Sequence, residues 1–424
     1  SKEREIENLP IPEVVSIPLS QHIGAPAEVV VKSGDTVKVG DLIAKAAGFV
    51  SSNIHSSVSG TVKSIDLMPN ASGIKQSVVT INVAGDEWND KIDRSTTLVK
   101  ECKLSGPEII QKISDAEIVG LGGATFPTQV KLMVPKGKKA ECLIINAVEC
   151  EPFLTADHRL MLEKGEEIIA GINIVCKALG VERAYIGIEN NKPDAIAHLT
   201  KLTADQSNIT VVPLLIQYPQ GGEKQLIDAV IGRQVPSGAL PIEVGAVVQN
   251  VGTIFAIYEA VQKNKPLFER IVTVTGNSLS QPKNLLVRVG IPIATLIEYA
   301  GGVPNDTVKI IGGGPMMGRA ICNVTAPVIK GSSGILLMNA KETQRKTESP
   351  CISCAKCISV CPMGLEPYLI NRMSRRNMFA ELEQHSVTDC IECGSCSFTC
   401  PANIPLLDNI LLAKGEVMKL IRSR

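Results

Sequence analysis

The amino-acid sequence predicts a multidomain protein that combines β and α/β domains with an α-helical end. The chain has 424 residues, more than one ordinary domain contains. Strand-like and helix-like segments alternate over residues 100–265, whereas residues 25–66 and 268–340 show short strands separated by turns. Eight of the 13 cysteines lie in two runs near the end of the chain. These observations predict four domains, over residues 1–98, 99–267, 268–340 and 345–424.

The first predicted domain consists of short strands broken by glycine turns. The turns lie at Ser33–Asp35, Val39–Asp41 and Ser59–Gly60. The segment around them resembles the barrel-sandwich hybrid fold of biotinyl and lipoyl carrier domains. Those carriers hold a modified lysine at a hairpin tip, but the equivalent stretch here, Ala46–Phe49, contains no lysine. We therefore expect a packing or docking domain rather than a swinging arm.

The second predicted domain alternates apolar strands with amphipathic helices, which indicates an α/β domain with a largely parallel sheet. Segments 142–148 and 184–189 are predicted strands, and apolar positions at helical spacing predict a helix over 162–179.

A glycine-rich loop, Gly120–Thr128, lies between a predicted strand and a predicted helix of this domain. Glycines let the backbone approach a phosphate closely, and a helix N-terminus offers unpaired N–H groups. The loop is not a Rossmann fingerprint, because Thr125 stands at the third glycine position and no acidic residue follows about twenty residues on. By itself the loop does not distinguish a phosphate site from a tight turn.

The third predicted domain returns to strand patterning around one helix-like stretch, which predicts a compact ββαβ unit of β-grasp character. A polar segment, Lys341–Pro350, links it to a ferredoxin-like α-helical tail. Residues 365–386 form a predicted helical spacer between the two cysteine runs.

Both cysteine runs in the tail have the form C-x2-C-x2-C-x3-C-P. This is the bacterial ferredoxin pattern for a pair of [4Fe–4S] clusters, in which the fourth cysteine of each run ligates the other cluster. The predicted ligands are Cys351, Cys354, Cys357 and Cys400 for cluster 1, and Cys361, Cys390, Cys393 and Cys396 for cluster 2.

Two other interpretations of these cysteines are weaker. A zinc ribbon uses two C-x2-C pairs rather than three cysteines in series, and a disulfide framework requires an oxidising compartment. The remaining five cysteines are scattered and are predicted to be small buried apolar side chains, with Cys150 alone inside a further motif. Two one-electron clusters indicate an electron carrier in a reducing cytoplasm.

The composition excludes several classes of partner. Lys plus Arg total 43, as do Asp plus Glu, so there is no basic surface for nucleic acid or anionic lipid. Aromatic residues make up 3% of the chain, too few for stacking platforms that bind single-stranded nucleic acid. No apolar run reaches the roughly 18 residues of a membrane span. We therefore expect no nucleic-acid partner and no transmembrane segment.

Three further segments adjoin predicted strands: Asn146–Pro152, Tyr218–Lys224 and Val248–Thr253. With the glycine loop, in this order, they resemble the FMN-carrying, NADH-oxidising subunit of respiratory complex I. The barrel-sandwich start and the paired cysteine runs extend the resemblance to nearly the whole chain, which is more similar still to the RnfC family. That family supplies one subunit of the Rnf complexes, the ion-translocating ferredoxin:NAD oxidoreductases. The chain departs from the complex I subunit at four positions near the flavin, where Leu121 replaces an arginine, Val148 and Gly222 replace acids, and Gln249 replaces an asparagine.

The resemblance implies two sets of ligand-binding residues. For FMN these are Gly120, Gly122, Gly123, Lys131, Asn146, Glu149, Tyr218, Gly221, Gln249, Asn250 and Thr253. For NADH they are Phe126, Glu151 and Glu223. Each has a structural alternative, since Phe126 could belong to the core, Lys131 could be a surface lysine, and a glutamate after a strand is usually solvated.

The resemblance also implies an activity. A hydride from NADH carries two electrons, which a single cluster cannot accept, whereas a flavin accepts the pair and releases electrons singly. No general base is needed, so no catalytic side chain is predicted. The implied partners are NAD(H), integral membrane subunits and, through them, ferredoxin, and the implied location is the cytoplasmic face of the bacterial membrane. Two alternatives are a soluble cobalamin-reductase-type flavoprotein and a relay subunit with a vacant flavin pocket.

Overall fold

The computed structural model describes residues 1–424 and contains four β-sheets and a helical C-terminal part. The N-terminal part holds eight strands, which are β1 (Glu7–Asn8), β2 (Val14–Pro18), β3 (Glu28–Val29), β4 (Thr36–Val37), β5 (Leu42–Lys45), β6 (Ile54–His55), β7 (Gly60–Pro69) and β8 (Lys75–Val83). Strands β2, β8, β7 and β4 form one antiparallel sheet, and β3, β5 and β6 form another.

The glycine turns of this part lie where the sequence predicts them. The carboxylate of Asp35 accepts the N–H of Lys32 at 2.9 Å, and Asp41 accepts that of Lys38 at 2.8 Å. The preceding glycine of each turn has a positive φ, and an added Cβ at Gly40 would lie 2.4 Å from Ile92 Cδ1. Glycine is required there both for the turn and for the close packing.

The α/β part places a four-stranded parallel sheet, ordered β11-β10-β9-β12, between helices. Its elements are α1 (Gly106–Asp115), α2 (Thr128–Leu132), β9 (Cys142–Asn146), α3 (Ala156–Glu163), α4 (Gly165–Leu179), β10 (Ala184–Glu189), α5 (Pro193–Leu202), β11 (Ile209–Leu214), α6 (Glu223–Ile231), a 3-10 turn (Pro241–Val244), β12 (Ala246–Asn250) and α7 (Val251–Lys263). Alternate residues of β9 face opposite cores: Leu143 and Ile145 pack with α4 and α7, and Ile144 packs with α6.

The predicted helix over 162–179 is two helices in the structure. Lys164 has φ −130°, outside the helical range, and so ends α3. The chain restarts as α4 at Gly165, where an added Cβ would lie 2.7 Å from His198 Nε2. This close contact with α5 depends on the tertiary fold, which helical periodicity does not reveal.

The third part is larger than the predicted ββαβ unit. Its elements are β13 (Glu269–Thr275), β14 (Lys283–Arg288), α8 (Ile293–Tyr299), β15 (Thr307–Gly312), β16 (Arg319–Ala320), β17 (Gly334–Asn339) and α9 (Ala340–Thr343). They form a six-stranded mixed sheet in the order β1-β14-β13-β17-β15-β16, so strand β1 from the chain start lies at its edge. One apolar core of 28 buried residues joins this sheet to the N-terminal barrel.

The C-terminal part is helical and has its own core of 12 buried residues. Its helices are α10 (Lys356–Ser359), α11 (Pro367–Ser374), α12 (Phe379–Gln384), a 3-10 turn (Val387–Asp389), α13 (Ser395–Thr399) and α14 (Leu406–Arg422). The predicted spacer is therefore helical, but it is divided into α11 and α12 by a turn in which Asn377 has φ 56°.

A buried ion pair connects three parts of the molecule. Lys330 Nζ lies 3.2 Å from the carboxylate of Glu117, and both side chains are 1% exposed. The same carboxylate accepts the N–H of His55 at 2.8 Å. Because Glu117 directly precedes the strand-like start of the glycine loop, this junction fixes the loop against the barrel and the six-stranded sheet.

Candidate functional site

The glycine loop is an open turn between α1 and α2, outside the parallel sheet. The strand predicted before it is reduced to an isolated bridge between Val119 and Pro127. Gly120 N–H donates to Phe126 O at 2.9 Å, and Thr128 N–H donates to Ile118 O at 3.0 Å, which closes the base of the loop. Residues 122–124 are exposed, and an added Cβ at Gly123 would meet nothing within 4 Å. The tip therefore leaves free backbone facing open space, the arrangement that accommodates a bound phosphate or ring.

The loop lies directly against the start of α7. Leu121 N–H donates to Thr253 Oγ1 at 2.9 Å, and an added Cβ at Gly122 would lie 3.0 Å from Asn250 Cβ. Asn250 caps α7 by accepting the N–H groups of Gly252 and Thr253 at 2.9 and 3.3 Å. The first and fourth predicted segments are thus in contact.

The second and third predicted segments meet at the same edge. Strands β9 and β12 are parallel neighbours in which Asn146 is opposite Asn250, so their carboxyl ends coincide. Asn146 Nδ2 donates to Gly221 O at 2.8 Å. An added Cβ at Gly221 would lie 3.2 Å from Cys150 Sγ, which places that thiol at the edge as well. All four sequence segments therefore converge at one end of the sheet.

Two residues predicted to bind different ligands are partners of each other. Lys131 Nζ lies 2.6 Å from Glu223 Oε1 and donates to Val248 O at 2.9 Å. Both side chains are about a third exposed, so the pair remains accessible to a ligand.

Glu149 makes its hydrogen bonds at the first turn of α3. Its carboxylate accepts the N–H groups of Asp157 and His158 at 2.8 and 3.1 Å. Burial, followed by the nearby Asp157 carboxylate, raises the pKa of Glu149 to about 8. Burial raises the pKa of Asp157 too, and Asn250 Nδ2 donates to it at 2.7 Å. Sequence reasoning missed Asp157, because no motif marks it and its approach to Asn250 is created by the fold.

The remaining dinucleotide candidates lie on either side of this edge. Phe126 is half-buried at the base of the glycine loop. Glu151 points to the six-stranded sheet, where its carboxylate accepts the N–H groups of Met316 and Met317 at 3.1 and 2.7 Å.

The residues present fit a flavin mononucleotide. Gln249 is 2% exposed, and its amide Nε2 is buried without a hydrogen-bond partner. A buried unpaired donor is costly, and a polar ligand edge would satisfy it. The open backbone at Gly123, in the loop that contacts the start of α7, supplies space for a ligand.

The cysteines form two groups that each combine both runs. Cys361, Cys390, Cys393 and Cys396 line one cavity together. Burial raises the pKa of Cys396 to about 12, and the other three thiols act in the same direction. On the other side, burial raises the pKa of Cys357, with further contributions from Cys400 and Cys351. Cys354, in the same run, is exposed.

Four thiols around one cavity suit the corners of an iron–sulfur cluster, whose positive iron atoms stabilise the thiolates that burial disfavours. No set of three or more His, Cys, Asp or Glu side chains is arranged to hold a single metal ion.

The cavity lined by Cys361 and Cys390–Cys396 lies against the α/β part. Tyr218 Oη donates to Cys393 O at 2.7 Å, and burial raises the pKa of this hydroxyl well above its ordinary value. Gln225 Nε2 donates to Pro362 O at 3.3 Å, and Gly238 N–H donates to Asp389 Oδ1 at 3.2 Å.

No helix combines the length and apolar character that spanning a membrane requires.

Four protein-family models match consecutive parts of the chain. They are the RnfC barrel sandwich hybrid domain over residues 1–86, the Nuo51 FMN-binding domain over 113–259, the SLBB domain over 271–320 and the 4Fe-4S dicluster domain over 343–401. The predicted fold class is confirmed, as are the predicted cofactors, FMN and two [4Fe–4S] clusters.

Several curated proteins are similar over most of the chain, and each is the subunit designated C of its complex. The one from the proton-translocating ferredoxin:NAD(+) oxidoreductase complex of Clostridium ljungdahlii is 46% identical over 91% of this chain and 84% of that protein. The one from the Na(+)-translocating complex of Acetobacterium woodii is 45% identical over 96% of this chain and 91% of that protein. The one from the ion-translocating oxidoreductase complex of Rhodobacter capsulatus is 42% identical over 98% and 80%.

Solved structures of an NAD+-reducing [NiFe]-hydrogenase share the fold at low identity. The NAD+-reducing [NiFe]-hydrogenase in its H2-reduced state superimposes with a TM-score of 0.51 and 16% identity, over 74% of this chain and 63% of that chain. At this identity the similarity concerns the fold.

Proposed function

Because the chain belongs to the RnfC family of ion-translocating ferredoxin:NAD(+) oxidoreductase complexes, we propose that it is their NADH-linked flavin and iron–sulfur oxidoreductase subunit. It exchanges hydride with NAD(H) through FMN and single electrons through two [4Fe–4S] clusters. The observation that carries this function is the convergence of four separate sequence segments at one sheet edge, with the cavity lined by Cys361 and Cys390–Cys396 held against the same domain.

The proposed FMN site is the open face between the glycine loop and the carboxyl ends of β9 and β12. Gly120, Gly122 and Gly123 give backbone access, and the unpaired Gln249 amide donates to the ligand. Asn250 and Thr253 hold the loop and the first turn of α7 in place. When bound, the flavin supplies the conversion between two-electron and one-electron transfer.

The remaining predicted FMN residues support this site from two sides. The hydrogen bond between Asn146 and Gly221 joins segment 146–152 to segment 218–224, and Tyr218 joins the latter to the main chain of Cys393. Lys131 balances phosphate charge while Glu223 holds its ammonium. Glu149 holds the first turn of α3 at the sheet edge and, with its raised pKa, retains a proton near neutral pH.

The proposed NADH site lies over the same opening. Phe126 offers a half-buried ring for stacking, and Glu223 offers a carboxylate oxygen for ribose hydroxyls. Glu151 is retained as a dinucleotide candidate, although its oxygens face the main chain of Met316 and Met317.

We propose that the two cysteine groups hold the clusters as the ferredoxin pattern predicts. Cluster 1 takes Cys351, Cys354, Cys357 and Cys400, and cluster 2 takes Cys361, Cys390, Cys393 and Cys396. The contacts of Tyr218 and Gln225 support a position for cluster 2 nearest the flavin.

Cluster 1 would then exchange electrons with a membrane subunit. Ile352 directly follows the cluster 1 ligand Cys351, and Phe398 lies midway between Cys396 of cluster 2 and Cys400 of cluster 1. The two side chains are 67% and 83% exposed, and such apolar side chains are typical of an interface centre. We propose that this surface docks on the integral membrane subunits at the cytoplasmic face, with ferredoxin acting indirectly through them. The boundaries 1–98, 99–267, 268–340 and 345–424 remain predictions.

Anaerobic purification followed by cofactor analysis and NADH addition tests this function. We expect about eight iron atoms per chain, from two four-iron clusters, one FMN, and bleaching by NADH within the mixing time. A protein that retains its clusters but lacks flavin after gentle purification, and that NADH does not bleach, would be a relay subunit instead. Copurification with corrinoid-binding proteins rather than membrane subunits would indicate a cobalamin reductase.

A further inference from the structure

The hairpin loop Gly313–Gly318 connects β15 to β16 and reaches away from its own sheet. The two strands pair only through Ile311–Ala320 and Gly312–Arg319, so the loop begins directly after the last pair. Gly313 N–H at its base donates to Gly334 O of β17 at 2.7 Å, while its tip contacts the α/β part and the cysteine tail. The proposed function assigns no role to this loop.

On one side the loop is held by a single carboxylate. Glu151 Oε2 accepts the N–H of Met316 at 3.1 Å, and Oε1 accepts the N–H of Met317 at 2.7 Å. Hydrogen bonds from two consecutive main-chain amides to one carboxylate are charge-assisted and fix its orientation. Both oxygens of Glu151 are thereby engaged.

The fit around this carboxylate is close enough to require glycine. An added Cβ at Gly314 would lie 2.2 Å from Glu151 Oε2 and 2.5 Å from its Cδ. Gly314 is buried and does not have a positive φ, so the space, not the backbone conformation, excludes a side chain.

On its other side the loop contacts the cysteine tail. An added Cβ at Gly394 would lie 3.0 Å from Met316 O, and Gly394 directly follows Cys393. The same cysteine accepts the Tyr218 hydroxyl through its carbonyl at 2.7 Å. Met316 therefore bonds Glu151 through its N–H, and its carbonyl lies beside Gly394.

We propose that Glu151 is a positioning residue, which acts through the main chain of Met316 and Met317 to set the place of the Cys393–Gly394 loop and so of cluster 2. This inference rests on the proposed function, since it assigns cluster 2 as the nearer electron acceptor. Electron transfer slows steeply with distance, so loss of this contact affects transfer between flavin and cluster more than reduction of the flavin by NADH.

Two substitutions break the contact from opposite sides. Glu151→Ala removes the acceptor, and Gly314→Ala drives a methyl group into it while leaving Glu151 in the chain. Glu151→Gln keeps one carbonyl acceptor and should restore part of the effect. Gly415→Ala is the matched control, because an added Cβ there meets nothing within 4 Å and it lies in the same cysteine-bearing tail.

The measurement combines EPR of the dithionite-reduced protein with stopped-flow absorbance after mixing with NADH. In both Glu151→Ala and Gly314→Ala we expect an altered cluster 2 signal, an unchanged cluster 1 signal, and cluster reduction slowed about tenfold or more. In Gly314→Ala, which keeps the Glu151 side chain in the protein, the rate of flavin bleaching and its dependence on NADH concentration should stay within about twofold of wild type. Gly415→Ala should match wild type throughout.

The contrary result is equally specific. If both variants have unchanged EPR signals, and Glu151→Ala slows flavin bleaching with weaker NADH binding, Glu151 is a dinucleotide ligand and the proposal is wrong. Failure of the proposed function itself would appear separately, as a wild-type protein without FMN or without bleaching by NADH.

Discussion

The two cysteine groups each take three ligands from one C-x2-C-x2-C series and one from the other run, but they have different surroundings in the structure. Cys393 and Cys396 are buried, and their group is held by Tyr218 of the α/β part and faces the hairpin loop. Cys351 and Cys354 are exposed. The motif determines which kind of cluster is bound, whereas contacts from other parts of the chain determine which cluster lies against the α/β part. We call that cluster the inner cluster and the other the outer cluster.

The largest expected effect comes from removing one ligand of each group in turn. Cys393→Ala and Cys354→Ala should each lose about half of the iron, because one four-iron cluster of two depends on each residue. With cluster 2 lost, NADH should no longer reduce cluster 1, whereas with cluster 1 lost, NADH should still reduce cluster 2. Iron analysis and EPR after NADH addition measure both. Equal behaviour of the two variants would remove the distinction between an inner and an outer cluster.

The glycine loop, in contrast, is fixed by the buried pair of Lys330 and Glu117. Lys330→Met should lower the free energy of unfolding by about 3–5 kcal/mol, because it leaves a buried carboxylate without its partner. Lys100→Met is the control: its pair with Glu166, 3.3 Å apart, is exposed, so the loss should be about 1 kcal/mol or less. Denaturant unfolding measures both changes. Similar losses for the two variants would mean that the pair of Lys330 and Glu117 is not a principal support of the glycine loop.

A smaller effect is a pH dependence at Glu149. The pKa of this carboxyl is about 8 in the fold against 4.5 in the unfolded chain, so only the unfolded chain releases the proton between these values. The group therefore lowers stability progressively as pH rises from about 4.5 to about 8, with no further change above that range. Glu149→Gln should flatten the decline of the melting temperature over this range. As control, Glu167→Gln, at an ion pair with Lys164 in the first turn of α4, should leave the decline in place.

The smallest effect on stability is expected at the outer surface. Phe398 is 83% exposed, so Phe398→Ser should change the free energy of unfolding by no more than about 0.5 kcal/mol. Bleaching by NADH should also be unchanged, while electron transfer to the membrane subunits falls. Leu215→Ser, at a side chain 72% exposed on the α/β part, is the matched control and should leave transfer intact. Membrane reconstitution with each variant distinguishes a docking surface from an ordinary exposed one.

Much of the site could be predicted because its signals are local. The cysteine spacing specifies the ferredoxin pattern, and Asn146 and Asn250 end parallel strands whose carboxyl ends must meet if the strands are neighbours. The turns at Gly34 and Gly40 also follow from residues beside them.

The rest depends on contacts between distant residues, which periodicity and motif spacing do not encode. Strand β1 joins a sheet formed mainly by residues beyond 268, although its own two residues carry no such signal. The motif around Glu151 predicts a ligand-binding residue, but its hydrogen bonds go to Met316 and Met317. Asp157 and Lys330 acquire their importance through burial beside charges from other parts of the chain.

Freeze-quench EPR after mixing the anaerobic protein with NADH resolves the order in which the two clusters are reduced. The signal of the cluster held by Cys361, Cys390, Cys393 and Cys396 should rise first, and the other signal should follow. The Cys393→Ala and Cys354→Ala proteins assign the two signals. A first signal from the exposed group, or reduction of that group in Cys393→Ala at the wild-type rate, would contradict an inner cluster that receives electrons from the flavin.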